Sequence, residues 1–157
     1  MADLSPALGP RRAGPDDAEA VARLLHDFNT EFDTPSPGAA ILARRLHSLL
    51  AAPGTIAYLA GEPAAGVALV TLRSNVWYDG PVALLDELYV EPGRRGRGLG
   101  AAMIRLLIAD AREAGVSAIE INVDAADVDA QRFYERHGFS GVDADTGERA
   151  FYYSLEL

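Results

Sequence analysis

The sequence predicts a mixed α/β fold in which helices cover a central, mostly antiparallel sheet. Two helical stretches precede three strands separated by hairpin-length turns, and a strand–helix–strand unit follows. Hairpin spacing implies antiparallel pairing, whereas a strand–helix–strand unit returns the chain to a parallel position. We therefore expect an α/β fold with about four helices and a parallel pair formed by the fourth and fifth strands.

The length of 157 residues is sufficient for one domain with a substantial core. We expect residues 1–10 to form a loose terminus and residues 11–157 to form a single domain. Nothing resembles a secretory signal, and no apolar run reaches the roughly 18 residues of a membrane span. The default expectation is therefore a cytoplasmic protein with no membrane partner.

Each element follows from a local pattern. A short strand at residues 11–13 precedes Gly14-Pro15-Asp16-Asp17, which puts acidic residues at the positive end of a helix dipole. Two helices with apolar residues at helical spacing follow, separated by Thr34-Pro35-Ser36-Pro37-Gly38 and ended by Ala52-Pro53-Gly54. The later predicted elements are strands at 55–60, 65–73 and 82–90, a helix at 99–114, a strand at 117–123, a helix at 126–137 and strands at 139–142 and 151–157.

Composition excludes several kinds of chemistry. All 14 basic residues are arginine, and the chain contains neither lysine nor cysteine. A Schiff-base lysine, a thiolate nucleophile and a P-loop lysine are therefore excluded. The formal charge of −9 makes a nucleic-acid partner unexpected, because phosphate neutralisation needs a basic face, and it favours cationic partners such as amines. No metal-ligand spacing is present, so no metal site is expected.

The loop between the predicted strand at 82–90 and the predicted helix at 99–114 concentrates the residues that bind phosphate. It contains Gly93, Arg94, Arg95, Gly96, Arg97, Gly98 and Gly100. Glycines let successive N–H groups converge, and a helix start adds unpaired donors and a positive dipole, which together suit a pyrophosphate. The spacing from Gly96 to Ala101 also fits a dinucleotide fingerprint, but the chain is too short for a second nucleotide-binding half.

Two motifs resemble the GNAT family of N-acetyltransferases. Arg95-Gly96-Arg97-Gly98-Leu99-Gly100 is similar to the family's Arg/Gln-x-x-Gly-x-Gly/Ala motif, and Leu88-Tyr89-Val90-Glu91-Pro92 resembles its fourth strand. The segment from Ala130 to Phe139 is similar to the family's second signature, and the order of elements matches from about residue 11 to the end. The resemblance implies a GNAT-type fold whose fourth and fifth strands splay apart around acetyl-CoA.

The resemblance also implies which residues hold acetyl-CoA, the expected co-substrate. The pyrophosphate would lie on the backbone N–H groups from Arg95 to Ala101, and the pantetheine would pair with the backbone of Leu88 and Val90. One N–H of that strand would polarise the thioester carbonyl. The implied set is Leu88, Tyr89, Val90, Arg95, Gly96, Arg97, Gly98, Leu99, Gly100, Ala101, Asp127 (where the family often has asparagine), Ala130 and Tyr134.

Three residues are candidates for catalysis. The resemblance assigns Tyr134 the role of a general acid that protonates the departing CoA thiolate. Asp86 and Glu87 lie on the strand beside the expected thioester and are candidates to accept the proton of the amine. Because adjacent strand residues face opposite sides, we expect only one to point at the acceptor. Similarity to polyamine-type members of the family favours Asp86, with Glu87 acting through a water.

Acidic and aromatic residues near two turns are candidates for the acceptor site, because they suit a cationic amine. They are Phe28, Glu31, Phe32 and Asp33 near the end of the first helix, and Trp77 and Tyr78 before the strand at 82–90. The expected activity is direct acetyl transfer to a primary amine, expected to be small and cationic. A non-catalytic acyl-CoA-binding regulatory module on the same fold is the alternative. The sequence is compatible with a homodimer but does not determine the oligomeric state.

Overall fold

A computed structural model describes residues 9–157. Over this range the strands are β1 Arg11–Arg12, β2 Thr55–Ala60, β3 Gly66–Arg73, β4 Val82–Val90 and β5 Ala118–Ile121, and the helices are α1 Ala18–Glu31, α2 Ala39–Ala51, α3 Leu99–Glu113 and α4 Val128–Arg136. The chain divides into two compact units, one ending at Glu120 and the other beginning at Ile121. Most of the terminus that we expect to be loose, residues 1–8, lies outside the described residues. None of the helices in the described range is long and apolar enough to cross a membrane.

The five strands form one mixed sheet in the order β1-β2-β3-β4-β5. Neighbours from β1 to β4 are antiparallel, and β5 is parallel to β4. The predicted α/β class and the parallel last pair are confirmed, because the spacing of the turns and of the crossover helix determines the direction of each strand. The bounds predicted for β2 and β4 match the structure, and those predicted for β1, β3, β5, α3 and α4 differ at one or both ends by one or two residues.

Helices cover both faces of the sheet in the first unit. α1 and α2 pack on the face that carries Leu59 and Val67, whose side chains are buried. α3 packs on the opposite face, where the hydroxyl of Tyr58 donates a hydrogen bond of 3.0 Å to Asp110. The side chains of β4 therefore alternate between a face under α1 and α2 and a face under α3.

The start of α1 is anchored by Asp17, which ends a short 3₁₀ turn at Pro15–Asp17. Its carboxylate accepts hydrogen bonds from the Arg11 guanidinium at 2.7 and 2.9 Å and from the Gly14 N–H at 2.8 Å. These contacts, with the one to Arg11 first, lower the pKa of Asp17 to about 2. Because the charged form is the one that is bonded, this stabilisation is present above the ordinary pKa and is lost as the pH falls toward 2.

The two strands predicted at 139–142 and 151–157 are absent from the described residues, and this prediction is wrong. After α4, the described residues form an isolated antiparallel β-bridge between Val142 and Arg149 in place of these strands. Between these residues the Asp143 carboxylate accepts the N–H groups of Asp145 and Thr146, each at 2.9 Å, and forms a tight local turn. Alternating apolar residues specify a strand only where another strand supplies backbone partners, and local side-chain hydrogen bonds compete with such pairing.

Gly80 fixes the start of β5 beside the start of β4. The Gly80 N–H donates to the Ser117 hydroxyl at 3.1 Å, and the Ser117 N–H donates to the Pro81 carbonyl at 2.9 Å. A Cβ at position 80 would lie 2.0 Å from the carbonyl oxygen of Gly115. This close backbone approach leaves no space for a side chain.

We expect Gly80→Ala to destabilise the protein by about 2 to 3 kcal/mol, because the backbone at Gly115 must move to admit the methyl group. For a chain of this size the midpoint of thermal unfolding should fall by roughly 5 to 10 °C. Thermal denaturation followed by circular dichroism measures the effect. Gly54→Ala is the matched control, since a Cβ there meets no atom within 4 Å. A shift no larger than that of the control would contradict the packing argument.

Candidate active site

Strand β4 contains a β-bulge at Asp86. The register pairs Leu69 of β3 with Glu87 but pairs Val70 with Leu85, so that Asp86 has no partner on β3. An extra residue of this kind interrupts the regular alternation of side chains and bends the strand locally. Two of the three candidate catalytic residues, Asp86 and Glu87, therefore lie at the one irregular point of the β3–β4 ladder.

The bulge turns Asp86 and Glu87 toward the same face of the sheet. The Asp86 carboxylate accepts a hydrogen bond from the hydroxyl of Thr71, and Glu87 is paired with Leu69, which packs against the core under α1 and α2. Thr71 and Leu69 are two residues apart on β3 and consequently share a face. The expected alternation between these two carboxylates is therefore interrupted by the bulge, and which of them faces the acceptor stays a prediction.

The two carboxylates have different environments. Asp86 is exposed, whereas Glu87 is half-buried. Burial raises the pKa of Glu87, and the negative charge of Asp86 raises it further. A carboxyl group with a raised pKa binds a proton more readily, which is the property required of a general base that works near neutral pH.

The backbone groups of Leu88 and Val90 point away from β3. The N–H of Glu91 donates to the carbonyl of Ala65 at 2.8 Å, in the same register as the strand pairs that precede it. Hydrogen bonding alternates along an antiparallel ladder, so Tyr89 bonds toward β3 while the residues on either side of it turn outward. The outward set is the one that the sequence resemblance assigned to pantetheine.

Strand β5 runs beside only the first half of β4. It begins opposite Pro81, whose carbonyl accepts the N–H of Ser117, and it has four residues. At about 3.3 Å per residue, a strand of this length reaches roughly as far as Leu85. The outward backbone groups of Leu88 and Val90 lie beyond that point. An extended ligand with amide groups could pair with this edge as an added strand.

The edge of β4 continues into residues 91–98, which we call the glycine–arginine loop, and then into α3. Gly96 and Gly98 have φ angles of +74° and +81°, in the left-handed region that favours glycine. Gly98 is the residue that precedes α3, and no side chain caps this helix. The first N–H groups of α3 therefore remain available to an anion, at the positive end of the helix dipole.

Arg94 places an unpaired donor in the glycine–arginine loop. Its Nε atom is buried and has no hydrogen-bond partner within the described part of the chain. A buried donor without an acceptor raises the free energy of the folded state. An anionic oxygen at this point would satisfy it, so the loop fits a phosphate group on chemical as well as geometric grounds.

Arg95, in contrast, is bonded within the protein. Its Nη2 donates to both carboxylate oxygens of Glu31, at 2.9 and 2.8 Å, and its Nε donates to the Val90 carbonyl at 2.9 Å. The guanidinium carbon lies 5.6 Å from the centre of the Tyr89 ring, and the Tyr89 hydroxyl donates to Glu31 at 3.2 Å. The charge of Arg95 is therefore already balanced by a residue that we predicted to bind the acceptor.

The predicted acceptor residues fall into two groups at opposite ends of β4. Phe28 packs against Tyr89 and Phe32, with ring centroids 5.1 and 5.3 Å apart, beside the glycine–arginine loop. Trp77 and Tyr78 lie in the loop before β4 and are 86% and 53% exposed. The nine residues of β4 span about 30 Å, so the structure does not bring the two groups together.

Asp33 lies in the turn beyond the end of α1, where its φ angle of 51° is in the left-handed region. It is exposed. Its N–H donates weakly to the Thr30 carbonyl at 3.4 Å. Its position beside Phe32 and Glu31 agrees with the predicted grouping at the end of α1, and its role in acceptor binding stays a prediction.

The second unit holds the remaining candidates. Asp127 caps α4 by accepting the Ala130 N–H at 3.0 Å. Tyr134 is buried, and its ring packs against Phe133 and Phe139 with centroids 5.2 and 5.6 Å apart. The roles in cofactor binding and catalysis that the resemblance implies for Asp127, Ala130 and Tyr134 stay predictions.

Sequence reasoning missed Thr71 and the ion pair between Arg23 and Glu91. Thr71 holds Asp86 from 15 residues away, and Arg23 donates to Glu91 at 2.7 Å from 68 residues away. No local pattern marks either contact, because each depends on the register of the sheet or on the packing of α1. The one available sequence signal was the pair of acidic residues inside an apolar strand. It marked Asp86 as a residue that needs a polar partner, but it did not identify Thr71 as that partner.

The mixed sheet, the edge of β4 that turns away from β3 and the uncapped start of α3 define the α/β class of this chain and the surroundings of the glycine–arginine loop. This chain belongs to the acetyltransferase (GNAT) family, whose family model matches residues 18–139. The resemblance stated from the sequence motifs is thereby confirmed. The crystal structure of a candidate acetyltransferase from Arthrobacter sp. FB24 has 51% sequence identity, a TM-score of 0.91 and coverage of 99% of both chains.

Relatives of known name are more distant. The aminoglycoside N(6')-acetyltransferase type 1 of Stenotrophomonas maltophilia is 30% identical over 152 residues, which are 94% of this chain and 92% of that protein. A mycothiol acetyltransferase of Beutenbergia cavernae is 35% identical over 74 residues, which are 45% of this chain and 25% of that protein. The chain thus matches a quarter or less of the length of the mycothiol acetyltransferases.

We expect Glu87→Gln to change how the free energy of unfolding depends on pH. The folded-state pKa of Glu87 is raised, so its contribution to stability is complete below the ordinary pKa and is lost as the pH rises through the raised value. The variant should therefore gain stability relative to the wild type between about pH 4 and about pH 7. Urea denaturation at the two pH values measures this difference.

Glu62→Gln, at an exposed carboxylate in the turn between β2 and β3, is the control for this experiment. A pH dependence of Glu87→Gln that equals that of the control would show that burial does not raise the pKa of Glu87.

Proposed function

We propose that this chain is an acetyl-CoA-dependent N-acetyltransferase that transfers an acetyl group directly to a primary amine. The observation that carries the proposal is the continuity of the outward edge of β4 at Leu88 and Val90 with a loop in which the buried Nε of Arg94 lacks an acceptor. In CoA an extended pantetheine with amide groups leads into a pyrophosphate. One molecule would thus satisfy both features in the order in which the chain presents them.

In this proposal the backbone supplies most of the binding. The N–H groups from Arg95 to Ala101 hold the pyrophosphate, and Arg94 and Arg97 add positive charge. The N–H of Leu88 or Val90 donates to the thioester carbonyl. A donor aimed at the oxyanion of the tetrahedral intermediate is worth roughly 3 kcal/mol in comparable sites.

The proposed reaction proceeds in a ternary complex. The amine nitrogen attacks the carbonyl carbon of the thioester, a C–N bond forms and the C–S bond breaks. Glu87 accepts the proton of the amine, directly or through a water, and Asp86 adds a second negative charge on the same face. The Tyr134 hydroxyl gives its proton to the departing thiolate and recovers one from solvent. The role of Tyr134 rests on its match to the second signature of the family, and the absence of cysteine excludes a thioester intermediate on the protein.

We propose a small cationic amine as the acceptor, and the support is electrostatic. The chain carries a formal charge of −9, although three of its 14 arginines fall within four positions of the glycine–arginine loop. The remaining surface is therefore more acidic than the total suggests, which favours the approach of cations. The aminoglycoside N(6')-acetyltransferase relative is named for an acceptor of this chemical class.

A CoA-release assay tests the proposed function. Acetyl-CoA and a panel of polyamines, aminoglycosides, amino acids and peptide N-termini are supplied, and released thiol is detected with a thiol reagent. Because the chain has no cysteine, the protein itself contributes no thiol signal. Release that depends on an amine supports the proposal. Binding of acetyl-CoA without release with any amine would identify an acyl-CoA-binding module instead, and affinity for NAD but not for CoA would refute the site assignment.

We expect Tyr134→Phe to lower kcat by about 100-fold or more, because the thiolate would leave without a general acid. The dissociation constant for acetyl-CoA should stay within about twofold of the wild type, since the ring and its packing are retained. Steady-state kinetics and calorimetric titration measure the two quantities. Tyr153→Phe, at an exposed tyrosine of the same unit, is the matched control. Turnover at the wild-type rate would remove Tyr134 from the mechanism.

A further inference from the structure

Two ion pairs join α1 to the glycine–arginine loop on either side of its 3₁₀ turn, Pro92–Arg94. Before the turn, Glu91 accepts a hydrogen bond of 2.7 Å from Arg23, which also donates to the Ala64 carbonyl at 2.7 Å. After the turn, Arg95 donates to both oxygens of Glu31 at 2.8 and 2.9 Å. Arg23 and Glu31 are about two helical turns apart on α1. The helix therefore contacts the loop on both sides of this 3₁₀ turn.

The guanidinium of Arg95 is constrained from three directions. Its Nε donates to the Val90 carbonyl, which ties the loop back to the end of β4, while Nη2 is bound by Glu31. The Tyr89 ring lies under the guanidinium, and the Tyr89 hydroxyl donates a hydrogen bond to Glu31. Hydrogen bonds between charged partners are stronger and more directional than neutral ones. The Nε and Nη2 groups of Arg95 could otherwise donate to a phosphate. In this arrangement they donate to Val90 of β4 and to Glu31 of α1 instead.

We infer that Glu31 is a positioning residue for acetyl-CoA, which acts by bracing the glycine–arginine loop through Arg95. The inference rests on the proposed function of this loop. Arg95 then serves as a structural link, and the pyrophosphate is recognised by loop N–H groups and by Arg94 and Arg97. N–H groups that already converge bind an anion without a cost of ordering the loop. Loss of the link at Glu31 leaves residues 95–98 freer to move and weakens that convergence.

Arg95 could either brace the loop or bind the pyrophosphate directly. These two roles predict opposite effects of Glu31→Gln on the affinity for acetyl-CoA. If Arg95 bound the pyrophosphate itself, Glu31→Gln would release its charge and acetyl-CoA would bind more tightly. If Arg95 is a brace, Glu31→Gln weakens binding. In that case the substitutions at Glu31 and Arg95 remove the same link, so their effects are not additive.

The test measures acetyl-CoA affinity by calorimetry for the wild type, Glu31→Gln, Arg95→Gln and the double variant. We expect each single variant to bind about 3- to 10-fold more weakly and the double variant to bind within about twofold of Arg95→Gln. Glu120→Gln is the matched control, because it removes an ion pair with Arg73 (2.8 Å) at the opposite end of the sheet from the loop. The control should bind acetyl-CoA as the wild type does.

A shorter acetyl donor distinguishes an effect of Glu31 on the loop from a general loss of structure in Glu31→Gln. Acetyl-pantetheine lacks the pyrophosphate, so Glu31→Gln should lower kcat/KM much less with this donor than with acetyl-CoA. A merely destabilised protein would lose activity with both donors, and a direct role of Glu31 in acceptor binding would raise the KM of the amine with either one. Both of these results would overturn the inference, as would tighter or unchanged acetyl-CoA binding by Glu31→Gln or additive effects in the double variant.

The outcomes also separate this inference from the proposed function on which it rests. If the wild type fails to bind acetyl-CoA, the proposed function is refuted and the brace with it. If the wild type binds acetyl-CoA and Glu31→Gln binds it equally well, only the brace is refuted.

Discussion

The hydrogen-bonded ladder between β3 and β4 is the constraint on which the candidate site depends. Its regular part turns the backbone of Leu88 and Val90 outward, because alternate residues of an antiparallel pair bond to the same neighbour. Its one irregularity, at Asp86, brings two carboxylates to the face under α1 and α2. The glycine–arginine loop begins where the ladder ends. The outward edge of β4, the two carboxylates and the start of the glycine–arginine loop are thus placed by the register of a single pair of strands.

The arginines of the glycine–arginine loop carry the same charge but have different surroundings. Arg94 has a buried donor without an acceptor, whereas Arg95 is neutralised by Glu31 and linked to Val90. Their side chains have the same chemistry and adjacent positions in the sequence. The difference arises from α1, which brings a carboxylate to one of them and not to the other. A cluster of arginines in an acidic chain therefore predicts an anion site in a loop, but it does not predict which of the arginines would form that site.

The accuracy of the sequence predictions follows the range of the interactions involved. β2 and β4 have the predicted bounds, because apolar alternation and flanking turn residues act over a few positions. The strands predicted at 139–142 and 151–157 are wrong, because their pattern needs a distant partner and the Asp143 turn intervenes. The distance between Trp77 and Phe28 could likewise not be predicted from local sequence patterns, because it depends on how β4 lies between the two groups.

The sequence by itself determined the α/β class, the family and the position of the glycine–arginine loop, because these depend on spacing, on glycines at left-handed positions and on a loop that leads directly from a strand into a helix. The tertiary structure decided how those residues are used. It placed Asp86 and Glu87 on one face, gave Asp86 the hydroxyl of Thr71 and bound Arg95 to Glu31. The physical reason is that register, bulges and ion pairs between distant elements depend on which surfaces meet on folding.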